Sequence, residues 1–213
     1  YDELAEETGR EDVRKAAQKH HRLVMDTFLR SDRGVLLEWL AIDGSELDAP
    51  QGTVIVPGHA IESMWFQMHI ARKNGDTDTL DRACAAIKAH LKLGWDDEYG
   101  GLLLAVDADG RSEVAWSFHD AKVWWPHTEA LYACLLAYEH THDREFLAWH
   151  ERVHEYSYGL FPDREHGEWR QRFDRRGNPI TDVVALPVKD PFHLPRALIY
   201  CVDVLERLAI TGL

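Results

Sequence analysis

"AKVWWPHTEALYA", residues 121–133, sets two tryptophans, a proline, a histidine and a glutamate at the start of one apolar, helix-like run. The same arrangement occurs twice more. Pro57-Gly58-His59 opens a second helical stretch, and His193, just ahead of Pro195, opens a third. From His59 through His127 to His193 the spacings are 68 and 66. Ahead of the histidines lie the turn signals Asp43-Gly44, Asp109-Gly110 and Arg176-Gly177, with glycine spacings of 66 and 67. Glycine after a polar residue supplies the positive φ of a tight hairpin. Elements sharing one period define a repeat of hairpin, helix, turn and helix.

Apolar periodicity predicts helices near 10–30, 59–74, 77–93, 125–140, 143–159 and 195–210. Paired helices bury their apolar faces on neighbouring pairs, as an open solenoid or a closed ring. In both, alternate helices start at the same side, so the three histidines are expected at one end around a shared pocket. The predicted class is all-α, an α/α toroid resembling an (α/α)6 barrel, with short β-hairpins between helix pairs. The chain, read as one domain over 1–213, holds about half of such a ring. Half a ring leaves two apolar ends open, so a complementary N-terminal half or a second copy is expected to cover them. The opening "YDELAEETGR" reads as the tail of an earlier helix, and a longer parent chain is expected.

The chain of 213 residues is 45% hydrophobic and 29% charged, enough for an ordinary core. Its net charge of -13 argues against nucleic acid and acidic membrane surfaces as partners. No apolar run is long enough to cross a bilayer. Cys84, Cys134 and Cys201 are widely spaced and odd in number. They read as buried thiols of a reducing compartment, which points to the cytoplasm. Eight tryptophans are many for this length, and aromatic rings commonly line sugar sites.

His59 and Glu62 are three residues apart, so they share a helical face, and Glu62 is expected to orient His59. His127 and Glu129 are two apart and do not share one. His193 stands at a helix N-terminus, which disfavours a protonated imidazole. The three histidines lie on separate helices, and no metal is expected. His20-His21, His140, His142, His150, His154 and His166 read as surface or outer-helix residues. No phosphate loop and no nucleophile elbow is present. Histidines on opposing helices around a tryptophan-rich pocket suit proton removal beside a carbonyl. One base takes the C2 proton of an open-chain aldose, and a second acid returns it to the opposite face. No redox cofactor is needed. Two other classes remain: a glycoside hydrolase or lyase using a carboxylate pair drawn from Asp96-Asp97-Glu98 and Glu129, and a non-catalytic interaction module.

"PGHAIESMWF", "WDDEYGGLL", "KVWWPHTEALYA", "FPDREHGEW", "RRG" and "FHLPRAL" together resemble the N-acylglucosamine 2-epimerase family, known also for renin-binding members. The resemblance spans about residues 50–205 and implies an (α/α)6 barrel. It implies that His59 and His193 are the two acid/base histidines. Glu129 would support the third-motif histidine, and Glu62 is the glutamate of the first motif. Trp65, Lys122, Trp125 and His127 fall on motif positions near the sugar. Family members are roughly twice this length, and this chain resembles their C-terminal half. Their N-terminal half supplies an arginine for the enediolate oxygens and more of the sugar-binding wall. Mannose-type isomerases and cellobiose 2-epimerases share the site type. The resemblance implies no cofactor; some members respond to ATP, and nucleotide activation stays open.

Overall fold

The computed structural model describes residues 1–181, 189 and 192–212, apart from the side chain of Thr211. Three inner helices lie side by side: α3 (Pro57–Asn74), α5 (Trp124–Thr141) and α7 (His193–Thr211). The middle one, α5, contacts both others. Outer helix α4 (Thr77–Gly94) returns along α3, and α6 (Arg144–Leu160) returns along α5. Ahead of them come α1 (Asp2–Thr8) and α2 (Glu11–Arg22), the latter continuing as a π-helical turn over Leu23–Phe28. The α1 tail is pinned to α3 by Lys73, whose ammonium meets Asp2 and Glu6 at 2.9 and 2.6 Å. Both the α/α architecture and the repeat follow the expectation from sequence.

The two layers differ because their sequences do. Almost every residue of α5 is buried, whatever its direction around the axis, as expected of a helix enclosed on all sides. Outer α6 buries only Phe146, Trp149, Val153 and Ser157, one stripe. The outer helices are capped in the usual way: Asp76 accepts from the Thr79 N–H, and Asp143 from the Glu145 N–H. The inner helices have no side-chain cap at their N-termini. The left-handed C-cap of α3 is Gly75, and that of α5, one repeat later, is His142. A non-glycine residue there costs roughly 1 kcal/mol.

Short strands tie each pair together at the rim. β3 (Val54–Ile55), just ahead of α3, pairs antiparallel with β4 (Val106–Asp107), which follows α4. β5 (Lys122–Val123), just ahead of α5, pairs with β6 (Arg172–Phe173), which follows α6. A further pair, β1 (Leu29–Arg30) with β2 (Val35–Leu36), precedes them. The turns at Gly44 and Gly177 close local hairpins through the bridges Leu40–Glu46 and Phe173–Pro179. The expected middle hairpin is not one. Gly110 does turn with φ 75, but Val106-Asp107 pairs back to Val54-Ile55 across the helix pair. Thr53 Oγ1 donates to the Asp107 carboxylate and secures that long-range pairing.

One face of α7 stays open. Leu198, Ile199, Val202 and Leu205 are exposed. Their counterparts one repeat earlier on α5 include Leu131, Tyr132 and Leu135, all buried.

Candidate active site

The N-terminal ends of α3, α5 and α7 meet at a cavity of about 380 Å³ lined by His59, Trp116, Trp124, Trp125 and His193, among others. Trp125 lies between the two histidines. Its ring stacks on His59 at 5.0 Å between centroids and meets His193 at 5.5 Å. Trp124 packs edge-on against His193. Among the described residues, its buried indole N–H has no hydrogen-bond partner. The uncapped helix ends direct their backbone N–H groups and positive dipole ends to this side of the molecule.

His59 and His193 occupy equivalent positions, two periods of 67 apart. One turn further in, the same period selects Glu62, Glu129 and Arg196. These three converge on the axis between the inner helices. Arg196 Nη2 donates to Glu62 Oε1 at 2.6 Å and to Glu129 Oε1 at 2.8 Å. Trp65 Nε1 donates to Glu129 Oε2 at 2.8 Å, and the Arg196 guanidinium lies 5.0 Å from the Trp65 ring. His193 Nδ1–H donates to Glu129 Oε1 at 2.6 Å. Burial and the neighbouring Glu129 charge push the Glu62 carboxyl above its ordinary range, against the pull of Arg196.

Ligand atoms of Glu62, Glu129 and His193 lie within 4.8 Å of one another, a geometry that can hold a metal ion. Here a cation is already in place. Arg196 Nη2 reaches both carboxylates, so the two negative charges are met by a guanidinium bound to the fold. The group does not fit a metal centre. α6 carries a second metal-like pattern that the sequence reading passed over, His150-Glu151-Arg152-Val153-His154. Its two rings stack at 6.1 Å and His150 Nδ1 is engaged with the Leu131 carbonyl. Among the described residues no third donor gathers with them.

Three expectations are corrected. Glu62 does not orient His59; that imidazole is held by Glu38, whose Oε1 and Oε2 lie 3.0 and 3.2 Å from Nδ1. His127 does not open onto the cavity. It is fully buried, its Nε2 accepts the Leu102 N–H at 2.9 Å, and its Nδ1–H donates to the Val123 carbonyl at 2.7 Å. Burial pushes it down to about 3, so it stays a neutral clamp on the loop after α4. The reason is one residue of register. Positions 59, 126 and 193 are equivalent, and His127 lies one further on, about 100° around the helix. His90 does the same work on α4, accepting from the Leu36 N–H and donating to the Ala86 carbonyl. Lys122 also faces inward, fully buried, with Nζ at 3.0 Å from Asp96 Oδ2 and 3.2 Å from the Gly101 carbonyl. Asp96 is further held by a two-pronged bond from Arg175, at 2.8 and 3.0 Å. Burial alone raises the Asp96 carboxyl, but these donors outweigh it and hold it well below the usual range.

Trp65 is buried and serves the axial network, whereas Trp125 faces the cavity. Sequence reasoning overlooked Glu38 and gave Arg196 no part at the site. The repeat period, extended one turn into each helix, points to Arg196. No local spacing points to Glu38, which lies well outside the first motif and meets His59 only across the fold.

Residues 3–197 match the model of the family described as N-acylglucosamine 2-epimerase (GlcNAc 2-epimerase). An N-acylglucosamine 2-epimerase of Bos taurus is 36% identical over 184 residues, covering 81% of this chain and 41% of the relative. That of Rattus norvegicus is 36% identical over 194 residues, covering 88% of this chain and 44% of the relative. The chain therefore spans less than half the length of these relatives. A crystal structure of a D-mannose isomerase superposes with a TM-score of 0.80 at 20% identity, covering 96% of this chain and 51% of that one. The inner and outer helices thus follow one half of an α/α toroid, and the chain belongs to the N-acylglucosamine 2-epimerase family.

Proposed function

We propose that the chain forms one half of a sugar 2-epimerase, with His59 and His193 as the two acid/base groups and an N-acylhexosamine as substrate. One observation carries the reading: two histidines from equivalent repeat positions flank a single tryptophan ring in one cavity. An open-chain aldose has an acidic C2–H beside its C1 aldehyde. Nε2 of one imidazole takes that proton, the C–H electron pair becomes a C1=C2 bond, and the aldehyde oxygen takes the charge. The other histidine, entering as the imidazolium, returns a proton from its Nε2 to the opposite face of C2, and the C1=O bond re-forms. Electrons balance without an oxidant or reductant.

The surroundings support each step. Glu129 accepts the Nδ1–H of His193, which fixes the tautomer in which Nε2 is the basic nitrogen. Arg196 and Trp65 in turn hold Glu129. The uncapped helix N-termini favour negative charge developing on the sugar oxygens. Trp125 offers a flat face for the sugar C–H groups. Lys122 and His127, enclosed in the fold, act on this site only by shaping it.

The exposed face of α7 corresponds to a covered face of α5. We assign its cover to further helix pairs that complete the ring, from a complementary half or from a second copy. The isolated chain is then weakly active or inactive. The net charge of -13 opposes binding to nucleic acid. Among the described residues, no helix is long and apolar enough to cross a membrane. Three free, buried cysteines suit the cytoplasm.

Proton NMR in D2O tests the reading, with N-acetylmannosamine, N-acetylglucosamine, mannose and cellobiose offered in turn. With the ring completed by its cover, loss of the C2 proton signal together with new anomeric signals of the 2-epimer is the expected result; the chain alone should show weak or no exchange. Release of a new reducing end, or a ketose product, would replace it with a hydrolase or an aldose–ketose isomerase.

A further inference from the structure

We propose that Glu38 is the positioning residue of His59, the rim counterpart of what Glu129 does for His193. The inference rests on the epimerase reading for its consequence but not for its geometry. His59 is half-exposed at the cavity, and its ring contacts are aromatic: Trp125 stacked on its face at 5.0 Å, and Trp116 edge-on at 6.3 Å. Stacking fixes the plane of an imidazole. It does not choose which nitrogen points where, because a half-turn of the ring about χ2 leaves the stacked face in place. A carboxylate does choose, since it can only accept. Both oxygens of Glu38 lie within 3.2 Å of Nδ1, so the proton belongs on Nδ1, and Nε2 becomes the basic nitrogen.

Glu38 is well placed for this and for little else. It lies just beyond β2, on the rim segment ahead of α3, between buried Leu37 and exposed Trp39, and Trp39 packs against Trp116. Counted from the turn glycines Gly44, Gly110 and Gly177, the equivalent rim positions are Leu104 and Gln171. Of these three rim segments, only the one ahead of His59 puts a carboxylate there. Glu62, the nearer glutamate in sequence, is committed to Arg196. His59 therefore draws its carboxylate from the rim ahead of its own helix, and His193 draws its own from the neighbouring inner helix.

Long-range proton–nitrogen NMR of the imidazoles, at about pH 8 where free histidine is neutral, tests this without turnover. The His59→Gln variant assigns the signal. The expected result is an Nδ1–H tautomer for His59 in the intact chain, lost in Glu38→Ala and partly kept in Glu38→Gln, whose amide oxygen still accepts. An Nε2–H tautomer in the intact chain, or one unchanged by Glu38→Ala, overturns the proposal. In C2 proton exchange, Glu38→Ala is expected to lower kcat about 10- to 100-fold with KM nearly unchanged. Unchanged kcat in Glu38→Ala also overturns it. An Nδ1–H tautomer in a chain that exchanges no sugar even with the ring completed supports the pairing and removes the epimerase reading instead.

Discussion

His59 and His193 hold the same position in two repeats, yet the fold supports them in opposite ways. The His193 side chain is 13% exposed and its partner Glu129 1%. Glu129 also takes hydrogen bonds from Trp65 and Arg196, so three inner helices share one carboxylate. The His59 side chain is 44% exposed, and Glu38, on the rim, is 18% exposed. A buried polar network is expensive to break, because each lost partner leaves another group unsatisfied. A rim pair is screened by water and contributes little to stability. One of the two proposed acid/base histidines is thus built into the core and the other is set against it.

Glu129→Ala probes the core side and carries the largest expected effect. It takes the shared acceptor from the Trp65 N–H and the His193 Nδ1–H and leaves the Arg196 guanidinium with Glu62 alone, so it should cost about 3–5 kcal/mol in a denaturant titration and abolish C2 exchange. A loss below about 1 kcal/mol would erase the contrast between the two sides. Next is the chemistry itself. His59→Ala should slow exchange by about 10²–10⁴-fold, with a stability change under about 1 kcal/mol. His193→Ala should slow exchange similarly and perturb the network as well. Equal unfolding costs for the two would refute the asymmetry.

His127→Ala sharpens the comparison from outside the site. It leaves the Leu102 N–H and the Val123 carbonyl without partners, together with a buried void. A loss of about 2–4 kcal/mol is expected, and activity should fall only with the folded fraction. Exchange lost from a fully folded His127→Ala protein would return that histidine to the chemistry. The smallest effect concerns pH. The Asp96 carboxyl is held below its ordinary range by Arg175 and Lys122. The folded state therefore binds fewer protons than the unfolded one, and this contribution is present above about pH 4 and lost as pH falls below it. The double variant Asp96→Asn with Lys122→Met, which strands no buried charge, should flatten that acid limb of stability in thermal melts taken across pH, without moving the pH profile of exchange.

Much of this was legible because a repeat is a local signal written several times. The shared spacing of Gly44, Gly110 and Gly177 marked the units. The mixed polar and apolar openings of α3, α5 and α7 marked the mouths. That Glu129 supports an acid/base histidine was readable through the resemblance, though not which one. Other parts were not. His127 lies in the most conspicuous motif of the chain, yet a period of 68 where the backbone repeats at 67 turns it inward. Lys122 looks like a pocket cation because lysine is seldom buried, and only Asp96, from the loop after α4, makes its burial tolerable. The second hairpin was misread because Asp109-Gly110 carries the chemistry of a turn whether its strand pairs locally or across two helices.

The sequence by itself determined the helices, their repetition and the gathering of three helix mouths at one end. Those properties follow from apolar spacing and turn residues, which act over a few positions of the chain. Only the tertiary structure decided which carboxylate meets which histidine. Glu38 reaches His59 from the rim ahead of its helix, and Glu129 reaches His193 from the neighbouring inner helix. Side chains so far apart along the chain meet only once the helices have packed, and a shift of one residue turns a side chain by about 100° around its helix axis. That rotation is what separates His193, in the cavity, from His127, in the core.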